Sequence, residues 1–174
     1  GGKGGLMISP LPICPSYYKF MQQVVEALEQ NYHLIKKEFE AAPEEMLSNA
    51  GGPLFVPGWN VLALRFQNTD IWPVHKIYPV LSSIVSRFSD LVAYCGFSVL
   101  NPGAIIYPHK GITNTVLRCH LGISIPEGDL ALKVDGQILK WQEGKAFIFD
   151  DTLLHEAWNK TKQKRVIVLI DLKK

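Results

Sequence analysis

The sequence has few cysteines, no excess of charge of one sign and no long apolar run. Its three cysteines are Cys14, Cys95 and Cys119. They are odd in number and lack a C-x-x-C spacing, which excludes a disulfide framework and a cysteine-rich zinc site and indicates a reducing compartment. Lys and Arg total 18 against 16 Asp and Glu, so no nucleic-acid partner is expected. No stretch approaches the roughly 20 apolar residues of a membrane helix, so no membrane span is expected in this chain.

The composition and the length of 174 residues are those of one folded domain, with 47% hydrophobic and 20% charged residues. The glycine-rich residues 1–8 are interpreted as a flexible linker or a remnant of expression, and 9–174 as a single domain. Within it, 16–90 is predicted to be helical and 91–174 to form a β core. A cytoplasmic location is expected for the chain as it stands, and a membrane anchor upstream is left open.

Hydrophobic periodicity predicts a helix over about 16–41 and another that starts at Pro73. Beyond Leu91 the pattern changes to short strands separated by turn residues, with a hairpin signal at Asp135 and Gly136. The fold class predicted is α+β, mainly β, an antiparallel sandwich or barrel with the helices packed outside it. The strands are predicted over residues 61–66, 94–100, 105–107, 117–125, 130–134, 137–141, 146–149 and 165–172.

Two histidines of the strand-rich half, His109 and His155, are candidate metal ligands. They lie in turn-rich segments that we expect to be separate loops at one end of a barrel, and two imidazoles there suit iron(II). A facial triad would add a carboxylate two positions after the first histidine, where Gly111 stands. Either Asp150 or Asp151 supplies the third ligand, or two histidines and waters hold the metal. The alternative is that both histidines are ordinary packing residues.

A second set of residues indicates a binding site for an anion. Strand alternation places Arg118 and His120 on one face of their strand. Arg165 opens a strand that is apolar on both faces, and a buried guanidinium requires an anionic partner. A small dicarboxylate held by these residues would meet that need. The alternative is an internal ion pair of Arg165 with Asp150, Asp151 or Asp171.

These residues stand in an order that resembles the aspartyl/asparaginyl β-hydroxylase family of 2-oxoglutarate-dependent iron(II) oxygenases. The resemblance implies a double-stranded β-helix, or jelly-roll, of the cupin type. It covers under half of the chain. The matching segments are Phe97–Gly103, Tyr107–Asn114, Leu117–Gly122, Trp141–Lys145, Phe149–Asp151 and His155–Trp158, together with Arg165.

The resemblance implies that His109 and His155 ligate Fe(II) and are the catalytic metal site. The family has glycine where other oxygenases have the facial carboxylate, and Gly111 agrees with this. Asp150 and Asp151 are then expected to act outside the inner coordination sphere.

The resemblance also implies a binding mode for 2-oxoglutarate. Ser98 and Arg165 are expected to hold its 5-carboxylate, and Arg118 and His120 its 1-carboxylate.

The function expected from the resemblance is hydroxylation of an unactivated C–H bond by a 2-oxoglutarate-dependent dioxygenase that consumes O₂. The acceptor is the Asp/Asn β-carbon of a polypeptide, or alternatively a small molecule or a lipid acyl chain. A non-catalytic cupin-like binding module is the competing hypothesis. A protein-interaction surface that includes Trp59 and Trp72 is a third.

Overall fold

The computed structural model describes residues 7–8, 15–43, 46–49 and 56–174, and this part contains four helices and twelve strands. Residues 1–6 of the predicted linker and Cys14 lie outside the described residues. The helices are α1 (Pro15–Gln30), α2 (Tyr32–Ala41), α3 (Val74–Ile77) and α4 (Pro79–Arg87). The strands are β1 (Met7–Ile8), β2 (Ser48–Asn49), β3 (Trp59–Phe66), β4 (Thr69–Asp70), β5 (Val92–Leu100), β6 (Ile105–His109), β7 (Val116–Ser124), β8 (Leu130–Val134), β9 (Gln137–Leu139), β10 (Ala146–Phe149), β11 (His155–Asn159) and β12 (Arg165–Lys173).

The described strands form two sheets. The larger has the order β1-β10-β7-β12-β5-β3-β2, with β4 beside β3, and the smaller has the order β6-β11-β8-β9. One apolar core joins the helices, through residues such as Leu28 and Leu81, to the larger sheet. A second core, with Leu132, Phe149 and Ile167, lies between the two sheets. This arrangement confirms the prediction of a mainly β, α+β jelly-roll with helices packed outside.

Alternation along β7 decides what faces the space between the sheets. Leu117, Cys119 and Leu121 belong to the core on the helical side. Arg118 and His120 therefore share the opposite face, as predicted, because successive side chains of a strand point to opposite faces, and this face lies toward the smaller sheet. The polar residues of the candidate site thus lie inside the sandwich.

Both long helical predictions are wrong in one respect, since each helix is interrupted. The Asn31 side chain donates a hydrogen bond to the carbonyl of Ala27 over 2.8 Å, and its φ of −102° and ψ of 8° separate α1 from α2. Tyr78 precedes Pro79 and has a ψ of 66°, which separates α3 from α4, because the proline ring disfavours the helical conformation in the residue before it. None of the described helices is both long enough and apolar enough to cross a membrane.

The strand predictions hold with shifts of one or two residues, and four strands were missed, namely the two-residue strands β1, β2 and β4 and the longer β11. Asp135 and Gly136 have φ of 46° and 80° and join β8 to β9 in the predicted hairpin. Strand β11 was predicted to be a loop. Its sequence, His155–Asn159, alternates buried and half-buried residues, and tertiary pairing with β6 and β8 on either side makes it a strand.

Candidate active site

The structure brings the two candidate metal ligands together. His109 ends β6, His155 begins β11, and the two are antiparallel partners whose ring centroids lie 4.2 Å apart. The expectation that they come from separate loops is wrong, because both belong to neighbouring strands of the smaller sheet. The strand pairing, rather than loop conformation, sets their separation. We call His109 and His155 the histidine pair.

Backbone hydrogen bonds fix the same tautomer in both rings of the histidine pair. Nδ1 of His109 lies 2.8 Å from the carbonyl oxygen of Tyr107, and Nδ1 of His155 lies 2.8 Å from that of Leu153. A carbonyl oxygen can only accept, so each Nδ1 carries a proton, and in the neutral ring the lone pair is then on Nε2. Burial, with the nearby His109 and Arg118, lowers the pKa of His155 to about 4. Neutral imidazoles with free Nε2 atoms are the form that binds metal ions.

Gly111 stands two positions after the first histidine because another side chain uses the space there. A Cβ at Gly111 would clash with Oδ2 of Asp151, and the Gly111 N–H donates to the Asp151 carbonyl over 2.7 Å. Burial raises the pKa of the Asp151 carboxyl. Asp150 is engaged elsewhere, since its Oδ1 accepts from the backbone and hydroxyl of Thr152 and its Oδ2 lies 3.6 Å from Nζ of Lys174. Within the described ranges, no three His, Cys, Asp or Glu side chains form a group that could hold a metal ion.

Arg165 is a buried cation with no acidic partner in the described part of the chain. It is 1% exposed, and its Nη2 donates to the carbonyl and hydroxyl oxygens of Ser98 over 3.2 and 2.9 Å. Its Cζ lies 4.5 Å from the centre of the Trp141 ring, and its Nε has no hydrogen-bond partner among the described residues. Burial lowers the pKa of Arg165 to about 9. A charge held this way is stabilised when an anion binds beside it.

The three aspartates considered as partners of Arg165 lie elsewhere. Asp171 is directly opposite Arg118 in the β12–β7 pairing and accepts from its Nε and Nη2 over 2.8 and 3.0 Å. Asp151 lies 3.6 Å from Nη2 of the same arginine. Arg118 therefore lines the cavity with its charge already balanced by two carboxylates.

His120 presents a single donor to the interior. Its Nδ1 accepts a hydrogen bond of 3.1 Å from the indole N–H of Trp141, so the ring proton is on Nε2. Nε2 is buried and has no hydrogen-bond partner in the part of the chain that is described. Burial lowers the pKa of His120 well below its usual range, helped by the charges of Arg165 and Arg118. The ring is thus a neutral N–H donor.

Ser98 presents its hydroxyl proton. Its Oγ accepts one hydrogen bond from the indole N–H of Trp59 and one from Nη2 of Arg165, each 2.9 Å long. Both lone pairs are then used, and the O–H is what remains for a ligand. We call Ser98, His120 and Arg165 the anion cradle, because all three offer donors and none offers a free lone pair.

The histidine pair and the anion cradle line one cavity between the two sheets. Arg118 also lines this cavity, and Ile106, Leu132 and Phe149 are among its apolar walls. The structure therefore brings both candidate metal ligands and the four residues of the candidate anion site to one cavity.

Two tryptophans of this cavity were given no role in binding from the sequence alone. Trp59 was considered for an exposed interaction surface, yet it lines the cavity and donates to Ser98. Trp141 was recognised only as part of a matching segment. Their positions follow from the β3–β5 pairing and from the course of the chain between β9 and β10, and neither can be read from local periodicity.

Comparison with known proteins places these observations in a family. The profile of the family described as aspartyl/asparaginyl beta-hydroxylase matches residues 18–174. An ornithine lipid ester-linked acyl 2-hydroxylase from Rhizobium tropici is 50% identical over 80 residues, which are 45% of this chain and 28% of the relative. Aspartyl/asparaginyl beta-hydroxylase from Mus musculus is 29% identical over 163 residues, 86% of this chain and 21% of the relative. Aspartate beta-hydroxylase domain-containing protein 2 from Xenopus tropicalis is 34% identical over 181 residues, 93% of this chain and 48% of the relative.

The chain thus spans between about a fifth and about half of the length of these relatives. Among solved structures, a prolyl-4-hydroxylase from Pseudomonas putida aligns with a TM-score of 0.52 at 12% identity, covering 86% of this chain and 87% of that one. At that identity the likeness concerns the fold, and it agrees with the jelly-roll described above. The profile match extends over almost the whole chain, and we conclude that the protein belongs to the aspartyl/asparaginyl beta-hydroxylase family.

Proposed function

We propose that this chain is an Fe(II)- and 2-oxoglutarate-dependent dioxygenase that hydroxylates an unactivated C–H bond. One observation carries the proposal: a cavity that holds two imidazoles, each donating from Nδ1 to a backbone carbonyl and facing the cavity with Nε2, also holds a buried arginine with no acidic partner among the described residues. The first feature suits a divalent metal and the second suits a carboxylate. A single ligand that chelates a metal and carries a distal carboxylate satisfies both.

The donor set supports iron at the histidine pair. Imidazole nitrogen is a good ligand for Fe(II), and the carbonyls of Tyr107 and Leu153 already orient both rings. In this proposal His109 and His155 are the protein ligands, and the carboxylate of Asp151 lies outside the inner sphere, in the space that a side chain at Gly111 would need.

The anion cradle supports 2-oxoglutarate. Arg165 and Ser98 would hold the 5-carboxylate, since the arginine has a free Nε–H and the serine a free O–H. His120 would donate from Nε2 to the 1-carboxylate. Arg118 lies in the same cavity and adds positive potential there, although Asp171 takes its hydrogen bonds.

When bound, iron and 2-oxoglutarate supply the oxidation, in which O₂ converts 2-oxoglutarate to succinate and CO₂ and delivers one oxygen atom to the substrate. The side chains of the cavity bind and orient 2-oxoglutarate and shield the site from water. Ile106, Leu132 and Phe149 keep bulk water from the reacting end of the cavity. Arg165 and His120 set the direction in which the diacid lies, because each donates at a fixed position.

We propose a lipid acyl chain as the first substrate class to test. Exposed apolar side chains flank the site residues in the sequence. Tyr107 lies two positions before His109, and Leu154 directly precedes His155. Ile112, next to Gly111, is fully exposed. The relative with 50% local identity is an ester-linked acyl 2-hydroxylase. The second candidate is an Asp or Asn side chain of a polypeptide, which the match to the mouse relative over 86% of this chain favours.

The decisive experiment has two stages. Anaerobic addition of Fe(II) and 2-oxoglutarate should give a weak visible charge-transfer band, and admission of O₂ should release succinate. Mass spectrometry then looks for a gain of one oxygen atom on acyl lipids and on Asp- or Asn-containing peptides. Trp158→Phe is a control outside the cavity, because that indole donates to Asp129. A metal complex without any succinate release would favour a non-catalytic binding module instead.

A further inference from the structure

Trp141 contacts two residues of the anion cradle, His120 and Arg165. Its indole N–H donates to Nδ1 of His120 over 3.1 Å, and its ring lies 4.5 Å from Cζ of Arg165. The side chain is only 4% exposed. It lies in the segment between β9 and β10, outside the strands that carry the other cavity residues. The ring face of Trp141 therefore packs against Arg165, and the N–H at the ring edge donates to His120.

The edge contact decides which nitrogen of His120 faces the ligand as a donor. A neutral imidazole has one N–H and one lone pair, and a donor aimed at Nδ1 requires the lone pair to be there. The proton then lies on Nε2, the atom with no partner among the described residues. In the other tautomer, two N–H groups would face each other at Trp141. A lone pair would then point at the carboxylate, which would be repelled.

We infer that Trp141 is a positioning residue for 2-oxoglutarate: its indole N–H holds His120 as the Nε2–H tautomer, and its ring holds the guanidinium of Arg165. This inference rests on the proposed function for the identity of the ligand. The tautomer of His120 is independent of that function, because it is a property of the metal-free, ligand-free chain.

The first test separates the N–H from the ring. Trp141→Phe removes the donor and keeps an aromatic face beside Arg165, and replacement of Trp141 by benzothienylalanine keeps the whole bicyclic shape with sulfur in place of N–H. Nitrogen-15 NMR of the histidine rings in the metal-free protein reports the tautomer directly. We expect a pure Nε2–H form of His120 in the wild type and a mixture of tautomers in both variants. Trp158→Phe should leave the tautomer unchanged.

The second test asks whether the effect reaches the ligand. Loss of one hydrogen bond of this kind should raise the KM for 2-oxoglutarate by roughly tenfold, with kcat little changed. In a His120→Ala background the same Trp141→Phe change should have no further effect on KM, because Trp141 acts on the ligand through His120, which that background lacks.

Two results would overturn the inference: an Nε2–H tautomer of His120 that persists in both variants, or a KM increase of equal size with and without His120. If the wild type binds no 2-oxoglutarate, the proposed function fails. The NMR result then still decides whether Trp141 sets the tautomer.

Discussion

Replacing Arg165 with Met should make the ligand-free protein more stable. Burial lowers the pKa of Arg165 far below its ordinary value, to about 9. At about 1.4 kcal/mol for each tenfold change in proton affinity, the buried charge costs about 5 kcal/mol. The hydrogen bonds to Ser98 and the Trp141 ring offset part of this, by about 1.5–3 kcal/mol and up to about 2 kcal/mol. Subtracting these offsets from about 5 kcal/mol leaves a net cost of up to about 3.5 kcal/mol, and Met removes it while filling a similar volume.

The assay is thermal or denaturant unfolding of the metal-free protein with and without 2-oxoglutarate. For a chain of this size, Arg165→Met should raise Tm by about 2–4 °C per kcal/mol gained. Saturating 2-oxoglutarate should stabilise the wild type, by about 2.7 kcal/mol at a hundred times Kd, and leave the variant unaffected.

Arg65→Met is the matched control with the opposite sign. Arg65 is also buried, but it has partners. Its Nη1 lies 2.6 Å from Oδ1 of Asp70, and its Nε donates to the carbonyl of Val92 over 2.9 Å. Its removal should cost about 1–3 kcal/mol, because it leaves those partners unpaired. A lower Tm for Arg165→Met than for the wild type, or an undiminished response of that variant to 2-oxoglutarate, would refute the reasoning.

Three further predictions concern the rest of the cavity. His109→Ala and His155→Ala should each lose succinate formation at ordinary iron concentration, and normal turnover by either would contradict the ligand assignment. Gly111→Asp should lose activity and about 1–3 kcal/mol of stability, because its Cβ would clash with the Asp151 carboxylate; tighter iron binding with retained turnover would instead indicate a triad. Ser98→Ala should raise the KM for 2-oxoglutarate by roughly five- to tenfold, measured by succinate release, and an unchanged KM would exclude the hydroxyl from the cradle.

Most strands and the fold class could be predicted from the sequence, because alternation and turn residues are local signals. The hairpin at Asp135 and Gly136 is an example, since both positions require the positive φ that this pair tolerates. Strand β11 could not be predicted, because its pairing with β6 and β8 depends on segments far away in the chain. The interruptions at Asn31 and Pro79 have local signals, but a hydrophobic stripe that continues across each of them conceals the break.

The candidate site was predictable as a set of residue types and only partly as an arrangement. The shared face of Arg118 and His120 follows from strand alternation alone. The partner of Arg118 does not, because the register that sets Asp171 opposite it is a property of two strands. The role of Asp151 also lay beyond the sequence, which offered it as a ligand or a partner of Arg165. The structure instead has its carboxylate in the space beside Gly111.

The order of the smaller sheet gives the two histidines unequal support. Among the described strands, β6 is an outer strand and pairs only with β11, whereas β11 lies between β6 and β8. Opening of an outer strand costs less free energy than opening of an inner one, so amide protons of β6 should exchange sooner than those of β11. If a metal bridges the two rings, its first ruptured bond should be the one to His109. Binding and release of the metal would then depend on the motion of β6 at the sheet edge, while β11 holds His155 in place.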